Sequence, residues 1–324
     1  MDKAPTKTGW AAWTTKKKAT VISVVVLILV ALGVGLGVGL GVGLNNGSGG
    51  EEEGSGSGNG NGGTGTGGNG TTTGNGTVKW QPDVGVKWQI VLLGALNDTS
   101  VDADVYDIDL FDNDKSTIST LQGLGRKVIC YFSAGTYEDW RPDAKEFDKA
   151  DLGKNLADWP GEKWVDTNSN SIRQIMQTRL DMAVTKGCDG VDPDNIDAYD
   201  NENGLKLTQD DATNYVNWLA GEAHGRNLSV GLKNGGAIID SVLDNMQWSV
   251  NEQCAQYQEC DTYAAFTEAN KPVFHIEYPK GDNTNNNKDV TTSQKSSACN
   301  APSAGNFSTV IKNMKLDSWV EYCS

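Results

Sequence analysis

The chain contains 324 residues, which is enough for two average domains or for one large barrel with an attached segment. Its formal net charge of −15 excludes the basic footprint of a nucleic-acid-binding protein, and its 2 His leave little room for a histidine-rich metal site. Residues 1–20 carry +4, residues 21–77 carry −3 and residues 78–324 carry −16. This acidic C-terminal part fits a cationic partner and, equally well, an acidic surface that only maintains solubility.

Residues 21–44 form an uncharged apolar run that is long enough to cross a bilayer as a helix. The apolar region of a secretory signal peptide is usually shorter, so the length favours a retained transmembrane signal anchor over a cleaved signal. Lys16, Lys17 and Lys18 precede the run, and no basic residue follows it before Lys79. The positive-inside rule then predicts a cytoplasmic tail over residues 1–20 and a single-pass type II protein of the cell membrane, with its C-terminal part extracellular.

Residues 45–77 consist of Gly, Ser, Thr and Asn, with three consecutive Glu as their only charges. Such a segment cannot bury enough apolar surface to fold, and it is predicted to be a disordered linker to a domain over residues 78–324. Six Asn-x-Ser/Thr sequons indicate glycosylation outside the cell. They begin at Asn46, Asn69, Asn75, Asn97, Asn227 and Asn306.

All 6 cysteines lie in the part that is predicted to be extracellular. An even number of cysteines in an oxidising compartment indicates disulfides, although six allow 15 pairings. Cys254 and Cys260 are close enough in sequence to staple one loop. Pairing Cys299 with Cys323 would fix the C-terminus, and Cys130 would then pair with Cys188. The chain has no Cys-x-x-Cys motif, which disfavours zinc, and no metal or other cofactor is expected.

From residue 78 onward, short apolar runs rich in β-branched and aromatic residues alternate with helical patterns. The eight candidate strands cover residues 88–93, 105–111, 127–133, 190–192, 228–233, 248–251, 273–278 and 308–312. The clearest helix covers residues 171–186, where apolar residues recur at helical spacing. A doubly wound sheet is the alternative, but no Gly-x-Gly-x-x-Gly follows the first strand. The pattern therefore predicts the α/β fold class and a (β/α)8 TIM barrel.

Catalytic residues of such a barrel lie at the C-terminal ends of the strands and in the loops that follow them. These positions hold many acids, with a few amides and aromatics. The candidate site residues are Asp107, Asp109, Tyr131, Asp192, Asp194, Asn195, Tyr199, Lys233, Asn234, Glu252, Glu277 and Tyr278, with Trp248 as a further aromatic.

Asp194 and Glu252 lie just after the C-terminal ends of the fourth and sixth predicted strands, so both can face one cleft. Two carboxyl groups are the minimum for glycosidic cleavage, one as proton donor and the other as nucleophile or base. Burial and like-charge repulsion can separate their pKa values enough for both tasks. The structural alternative is that a strand-end acid caps a helix, as at Asp197, or pairs with Lys233 or Arg141.

Lys233 and Asn234 are candidates for orienting a catalytic acid or a sugar hydroxyl, although the lysine could equally neutralise the acidic strand ends. Four aromatic residues are candidates for stacking on sugar rings, although each could instead belong to the core. These are Tyr131, Tyr199, Trp248 and Tyr278. The loop from Trp159 to Trp164, between the third and fourth predicted strands, could line a cleft or merely pack against it.

A series of short blocks in the domain resembles glycoside hydrolase family 114, a family of endo-α-1,4-polygalactosaminidases. The blocks are Cys130-Tyr-Phe-Ser-Ala-Gly135, Glu138 with Arg141-Pro-Asp143, Gly190-Val-Asp-Pro-Asp-Asn195 with Tyr199, Gly231-Leu-Lys-Asn234, Asn251-Glu-Gln-Cys254 with Tyr257 and Glu259-Cys260, and Lys271-Pro-Val-Phe274 with Glu277-Tyr278. They occur in order over most of residues 78–324, and this order makes the resemblance specific.

The resemblance implies a (β/α)8 barrel that hydrolyses α-1,4-linked galactosamine in galactosaminogalactan. It also implies that Asp194 and Glu252 are the catalytic pair, here assigned as nucleophile and as acid/base, with an exchange of roles left open. The amines of the deacetylated polymer are cationic near neutral pH. Acidic residues of the cleft are then expected to bind the sugar ammonium groups, namely Asp107, Asp109, Asp192 and Glu277.

Two alternative functions belong to other classes. A membrane-tethered protein that binds the cationic polysaccharide without cleaving it would need the same anchor, linker and aromatics. A deacetylase of the same polymer would usually need a metal held by His and Asp, and two separated histidines disfavour it.

Overall fold

The computed structural model describes residues 80–323. Eight parallel strands form its main sheet, in the order in which they occur along the chain. They are β1 (Trp88–Val91), β2 (Val105–Asp109), β3 (Lys127–Ser133), β7 (Gly190–Asp194), β8 (Ser229–Lys233), β9 (Trp248–Glu252), β10 (Val273–Glu277) and β11 (Ser308–Lys312). All eight predicted strands are present, and β12 (Val320–Tyr322) adds an antiparallel ninth strand beside β11.

Helices follow most of these strands. They are α1 (Lys115–Gly123), α2 (Asn170–Lys186), α3 (Gln209–Gly225), α4 (Ile239–Val242), α5 (Cys254–Tyr257), α6 (Ala264–Glu268) and α7 (Thr292–Cys299). Helix α3 begins with a capping box in which Thr208 accepts from the backbone amide of Asp211 and the Asp211 carboxylate accepts in return. The long connection between β3 and β7 contains a small antiparallel sheet of β4 (Thr136–Glu138), β5 (Leu152–Asn155) and β6 (Glu162–Val165).

The first and last barrel strands meet through side chains. Trp88 donates its indole N–H to the carbonyl of Ser308 at 2.7 Å, and Lys312 donates to the side-chain oxygen of Gln89 at 2.9 Å. The hydroxyl of Tyr322 in β12 donates to the carbonyl of Trp88 at 3.0 Å. The sheet is thus a nearly closed, mostly parallel barrel with helices outside, which is the architecture that the strand and helix pattern predicts.

Alternate residues along each strand face the barrel interior. Trp248, the first residue of β9, fills the interior at the N-terminal end of the strands. Its indole lies across Gly231 of the neighbouring strand and against the rings of Phe274 and Trp80. A Cβ on Gly231 would lie 1.9 Å from the indole nitrogen of Trp248, so this position requires glycine. Trp248 is therefore a fully buried core residue, and it cannot stack on a sugar as the sequence pattern suggested.

Gly231→Ala is expected to destabilise the barrel by about 2 kcal/mol, because Trp248 has to leave its rotamer or the strands have to separate. Urea unfolding followed by tryptophan fluorescence measures this change. Gly221→Ala in helix α3 is the matched control. Its Cβ meets nothing within 4 Å, and alanine there is expected to stabilise the helix by up to about 1 kcal/mol. Equal stability of the two variants would contradict the packing argument.

The three disulfides join Cys130 to Cys188, Cys254 to Cys260 and Cys299 to Cys323, as expected from the sequence. The first links β3 to the residues before β7, and the third holds the C-terminus against α7. The predicted anchor over residues 21–44 and the linker over residues 45–77 lie outside the described residues. Within residues 80–323, no helix is both long enough and apolar enough to span a bilayer.

Candidate active site

Lys233, the last residue of β8, joins the two candidate catalytic carboxylates. Its ammonium nitrogen lies 3.1 Å from Oδ2 of Asp194 at the end of β7 and 3.0 Å from Oε2 of Glu252 at the end of β9. The Lys233 side chain is 2% exposed, whereas those of Asp194 and Glu252 are 16% and 25% exposed. The structure thus places the two acids at one end of the barrel, facing a common cleft, with one buried cation between them.

The Glu252 carboxylate is held by three donors. Lys233 is one, the Asn234 side chain donates at 3.2 Å, and the buried hydroxyl of Tyr278 donates to the other oxygen. Burial opposes ionisation, but the Lys233 ammonium and these hydrogen bonds more than offset it, so the pKa of Glu252 is lowered. Asn234 also accepts from the Glu252 backbone amide at 3.0 Å, which fixes the strand end.

Asp194 accepts from the Tyr131 hydroxyl at 2.9 Å and from its neighbour Asn195 through the backbone amide at 2.7 Å. Together with Lys233, these contacts leave little freedom of rotation for the carboxylate. The Asn195 side chain turns away from Asp194 and donates to the hydroxyl of Ser133 at 2.9 Å. Asn195 therefore supports the geometry of Asp194 through its backbone.

The three strands that carry these groups end in the same way. The residue after each strand has a left-handed backbone, with φ of 60° at Asn195, 52° at Asn234 and 66° at Gln253. Asn tolerates this conformation better than most residues. The reversal turns the chain sharply after Asp194, Lys233 and Glu252, so that each of these side chains ends its strand at the rim of the barrel.

Asp107 and Asp192 form a second carboxyl pair inside the barrel. Both are fully buried, and no donor from outside the pair forms a hydrogen bond to either of them within the described residues. Burial and the neighbouring Asp192 raise the pKa of Asp107 well above its usual range, and burial raises the pKa of Asp192 to about 7. The pair is therefore expected to share a proton, with Asp107 as donor. The structure does not place these two acids in the cleft wall.

Lys233 connects this inner pair to the outer one. Burial disfavours its charge, but the carboxylates of Asp194, Glu252 and Asp192 more than offset that cost and raise the pKa of Lys233 well above its ordinary value. Lys233 thus stays protonated across the working range of pH. Its positive charge neutralises part of the negative charge of these three carboxylates.

Other predicted site residues have different surroundings. Asp109 lines the cleft, but Arg141 binds its carboxylate with two hydrogen bonds of 3.0 and 2.6 Å. Glu277 points out of the barrel, where it accepts from the backbone amide of Ala255 at 2.8 Å and contacts His275 at 2.9 Å. Tyr199 packs partly buried against the core and does not line the cleft.

The cleft comprises two adjoining cavities of about 670 Å³ and 420 Å³, both of which reach Glu252. Trp159 lines both cavities and is 53% exposed. Trp140 lines the smaller one and Tyr257 the larger one, and both are more than half exposed. Rings exposed beside a polar cleft are suited to stacking on sugars. Of these three, only Trp159 lies in a loop for which the sequence offers a place in the cleft; Trp140 and Tyr257 are not among the predicted stacking aromatics, because nothing in the pattern of a loop shows which ring faces a cleft.

Two carboxyl groups of the cleft are absent from the predicted site. Asp197 lines both cavities, and burial together with the Asp194 carboxylate raises the pKa of Asp197 to about 6. Glu162 of β6 lines the smaller cavity, accepts from Thr136 at 2.9 Å and has its pKa raised by burial to about 7. The sequence pattern favours a helix-capping role for Asp197, yet its side chain makes no capping hydrogen bond.

Comparison with known families decides the class of protein. Residues 69–324 match the glycoside-hydrolase family GH114. The chain belongs to glycoside hydrolase family GH114. As a member of GH114 it is a glycoside hydrolase, and the predicted family resemblance is confirmed.

Solved structures resemble this chain to different degrees. The crystal structure of Aspergillus fumigatus Ega3 in complex with galactosamine is 69% identical, with a TM-score of 0.76, and the match covers 77% of this chain and 100% of that chain. The glycoside hydrolase domain of PelA from Pseudomonas aeruginosa is 11% identical, with a TM-score of 0.56 over 72% of this chain and 98% of that chain. At that identity PelA shows the fold alone. Comparison with curated protein sequences gives no significant match.

Proposed function

We propose that this protein is an extracellular endo-glycosidase that hydrolyses α-1,4-linked galactosamine in galactosaminogalactan. The observation that carries the proposal is the Asp194–Lys233–Glu252 cluster in an open, acidic cleft with exposed aromatic rings. The 69% identity to Ega3, which was crystallised with galactosamine, supports an amino sugar as the substrate. The negative charge of the domain supports a polymer whose free amines are protonated.

In the proposed mechanism, Asp194 attacks the anomeric carbon and Glu252 protonates the leaving oxygen, then activates water for the second step. Lys233 keeps Glu252 ionised in the free enzyme. This assignment therefore requires that the bound sugar weakens the Glu252–Lys233 contact, so that Glu252 can take up a proton. If Glu252 is the nucleophile and Asp194 the acid, the bound sugar must instead weaken the Asp194–Lys233 contact, so that Asp194 can take up a proton.

The spacing of the two acids supports retention of the anomeric configuration. Because both contact the same nitrogen, Oδ2 of Asp194 and Oε2 of Glu252 lie no more than about 6 Å apart. Inverting enzymes separate their carboxyl groups by roughly 6.5–9.5 Å to admit a water molecule, and retaining enzymes by roughly 5–5.5 Å.

Incubation with deacetylated galactosaminogalactan is expected to release oligosaccharides of several lengths early in the reaction, as an endo-acting enzyme does. Proton NMR of the first products is expected to show the α-anomer before mutarotation. Mass spectrometry follows the product lengths. Initial formation of the β-anomer would contradict the spacing argument, and binding without any turnover would favour the alternative of an inactive polysaccharide-binding protein.

The location of the protein is also a proposal. A single-pass type II anchor over residues 21–44 would hold the hydrolase domain outside the cell through the linker over residues 45–77. Three disulfides support an oxidising compartment. Three sequon asparagines of the described domain, Asn97, Asn227 and Asn306, are exposed and accessible to glycosylation.

A further inference from the structure

The two sides of the cleft differ in charge. The loops after β7 and β9 carry Asp197, Asp200 and Glu259, which line the larger cavity, and no Lys or Arg among residues 80–323 lines it. We call these three residues the acidic side. The opposite wall, which we call the mixed side, is lined in the smaller cavity by Leu92, Leu93, Arg141 and Lys315 together with the acids Asp109, Asp112, Glu138 and Glu162.

On the acidic side, the carboxyl groups lack cationic partners within the described domain. Asp197 makes no side-chain hydrogen bond to another described residue, and the carboxylates of Asp194 and Asp200 repel its charge. Burial and the neighbouring Asp261 raise the pKa of Glu259, and no ion pair joins Glu259 to another described residue. A bound ammonium group would relieve both repulsions, because it supplies the missing charge and several hydrogen-bond donors.

The acidic side is also held in place. The disulfide between Cys254 and Cys260 closes the loop that carries Tyr257 and Glu259. From behind, Glu277 accepts from the Ala255 backbone amide at the start of this loop. Glu259 and the exposed Tyr257 ring both line the larger cavity, and a loop fixed in this way keeps them there for an amine and for the face of its sugar ring.

On the mixed side, Arg141 lies within 4.0 Å of three acids, Asp109, Asp112 and Glu138, and burial raises the pKa of the fourth, Glu162, to about 7. Arg141 binds Asp109 with two hydrogen bonds and also donates to Glu138 at 2.9 Å. Leu92 and Leu93 add apolar surface, and Leu93 is 56% exposed. An uncharged sugar with an N-acetyl methyl group suits such a wall better than an ammonium group does.

We propose that the enzyme selects the substitution pattern of its polymer on one side of the cleaved bond only. The sugars on the acidic side must carry a free amine, whereas those on the mixed side can be N-acetylated or uncharged. This proposal rests on the function proposed above and makes the acidic side the specificity determinant of that same site.

Digestion of a partially N-acetylated galactosamine polymer tests the proposal with the full-length protein. Each cut creates two new ends, which are identified by mass spectrometry of the end-labelled products. One end is expected to carry galactosamine in nearly every product, and the other to carry galactosamine and N-acetylgalactosamine in the proportions of the polymer. If both ends show the same composition, the proposal is wrong while the proposed function stands. The absence of any product overturns the proposed function and the selection with it.

Asp197→Asn is expected to lower kcat/KM on the fully deacetylated polymer roughly tenfold, because one charge-assisted contact is lost. The same variant is expected to admit N-acetylgalactosamine at the end that is otherwise restricted. Asp240→Asn is the matched control, since Asp240 is an exposed acid on the outer helix α4, and end composition should not change. An Asp197→Asn enzyme with unaltered end composition would overturn the assignment of the acidic side.

Discussion

Asp194→Asn and Glu252→Gln are each expected to lower the rate of polymer hydrolysis by at least about 10³-fold. The amide has the shape of the carboxyl group but can neither attack the anomeric carbon nor carry the transferred proton. Both side chains are the last residues of their strands and are held by Lys233. Release of reducing ends from deacetylated galactosaminogalactan measures the loss.

The matched control for these variants is Asp189→Asn. Asp189 precedes the same strand as Asp194, but at the opposite end of the barrel, where Lys127 binds it at 2.6 Å. Its amide variant is expected to keep activity near that of the wild type. If the Asp194 or Glu252 variant kept more than a tenth of the wild-type rate, the two-carboxylate mechanism would not hold.

Reaction with azide distinguishes the nucleophile from the acid/base residue. In a retaining α-glycosidase, azide attacks the sugar directly when the nucleophile is missing and gives a β-glycosyl azide. When the acid/base is missing, azide instead attacks the glycosyl-enzyme and gives an α-glycosyl azide. Asp194→Ala is therefore expected to give the β-product and Glu252→Ala the α-product. The reverse pattern would exchange the roles.

The positions of the strands could be predicted from the sequence because parallel barrel strands read as short, continuous apolar runs. Each predicted run overlaps an observed strand, and the two differ by at most two residues at a strand end. The rule that chemistry follows the C-terminal ends of strands also brought Asp194, Lys233 and Glu252 together. The disulfide between Cys254 and Cys260 could be predicted because two cysteines so close in sequence can readily join the ends of one short loop.

The direction of each side chain was harder to predict, although alternation along a strand contains that information. In β10, Phe274 and Ile276 face the interior, so Glu277 faces outward and Tyr278 inward. This alternation places Tyr278 in the barrel interior and Glu277 outside it, so the two predicted site residues do not share one cleft. Alternation along a strand does not show how far a side chain lies from the rim of the barrel. Asp192 and Asp194 face the same side of their strand, but only Asp194 reaches the cleft.

Residues on long loops could not be predicted from periodicity. Asp197 and Trp159 line the cleft because of how the connections after β7 and between β5 and β6 fold back over the barrel. That path depends on contacts between distant residues, for example the hydrogen bond from Lys154 to the Asn203 carbonyl at 2.8 Å. No local pattern of amino acids specifies such a contact.

Lys233→Met is expected to lower activity by about 10²–10³-fold, which is the usual cost of removing one preorganised charge from a catalytic site. The variant leaves the partly buried carboxylates of Asp194 and Glu252 without their shared cation. Burial then raises the pKa of Glu252, which Lys233 holds low in the wild type. If Glu252 acts ionised, the acid limb of the pH–rate profile moves to higher pH, and if it acts protonated, the alkaline limb moves in the same direction.

The pH profile of kcat/KM between pH 4 and pH 9 therefore tests Lys233→Met whichever acid is the nucleophile. Urea unfolding accompanies it, because an unpaired buried carboxylate is expected to cost about 3–5 kcal/mol of stability. Lys127→Met is the control, since Lys127 pairs with Asp189 at 2.6 Å but is 45% exposed, and screening by water makes its loss mild. If the pH profile of kcat/KM is the same for Lys233→Met as for the wild type, Lys233 only holds the two carboxylates in place and does not set their pKa values.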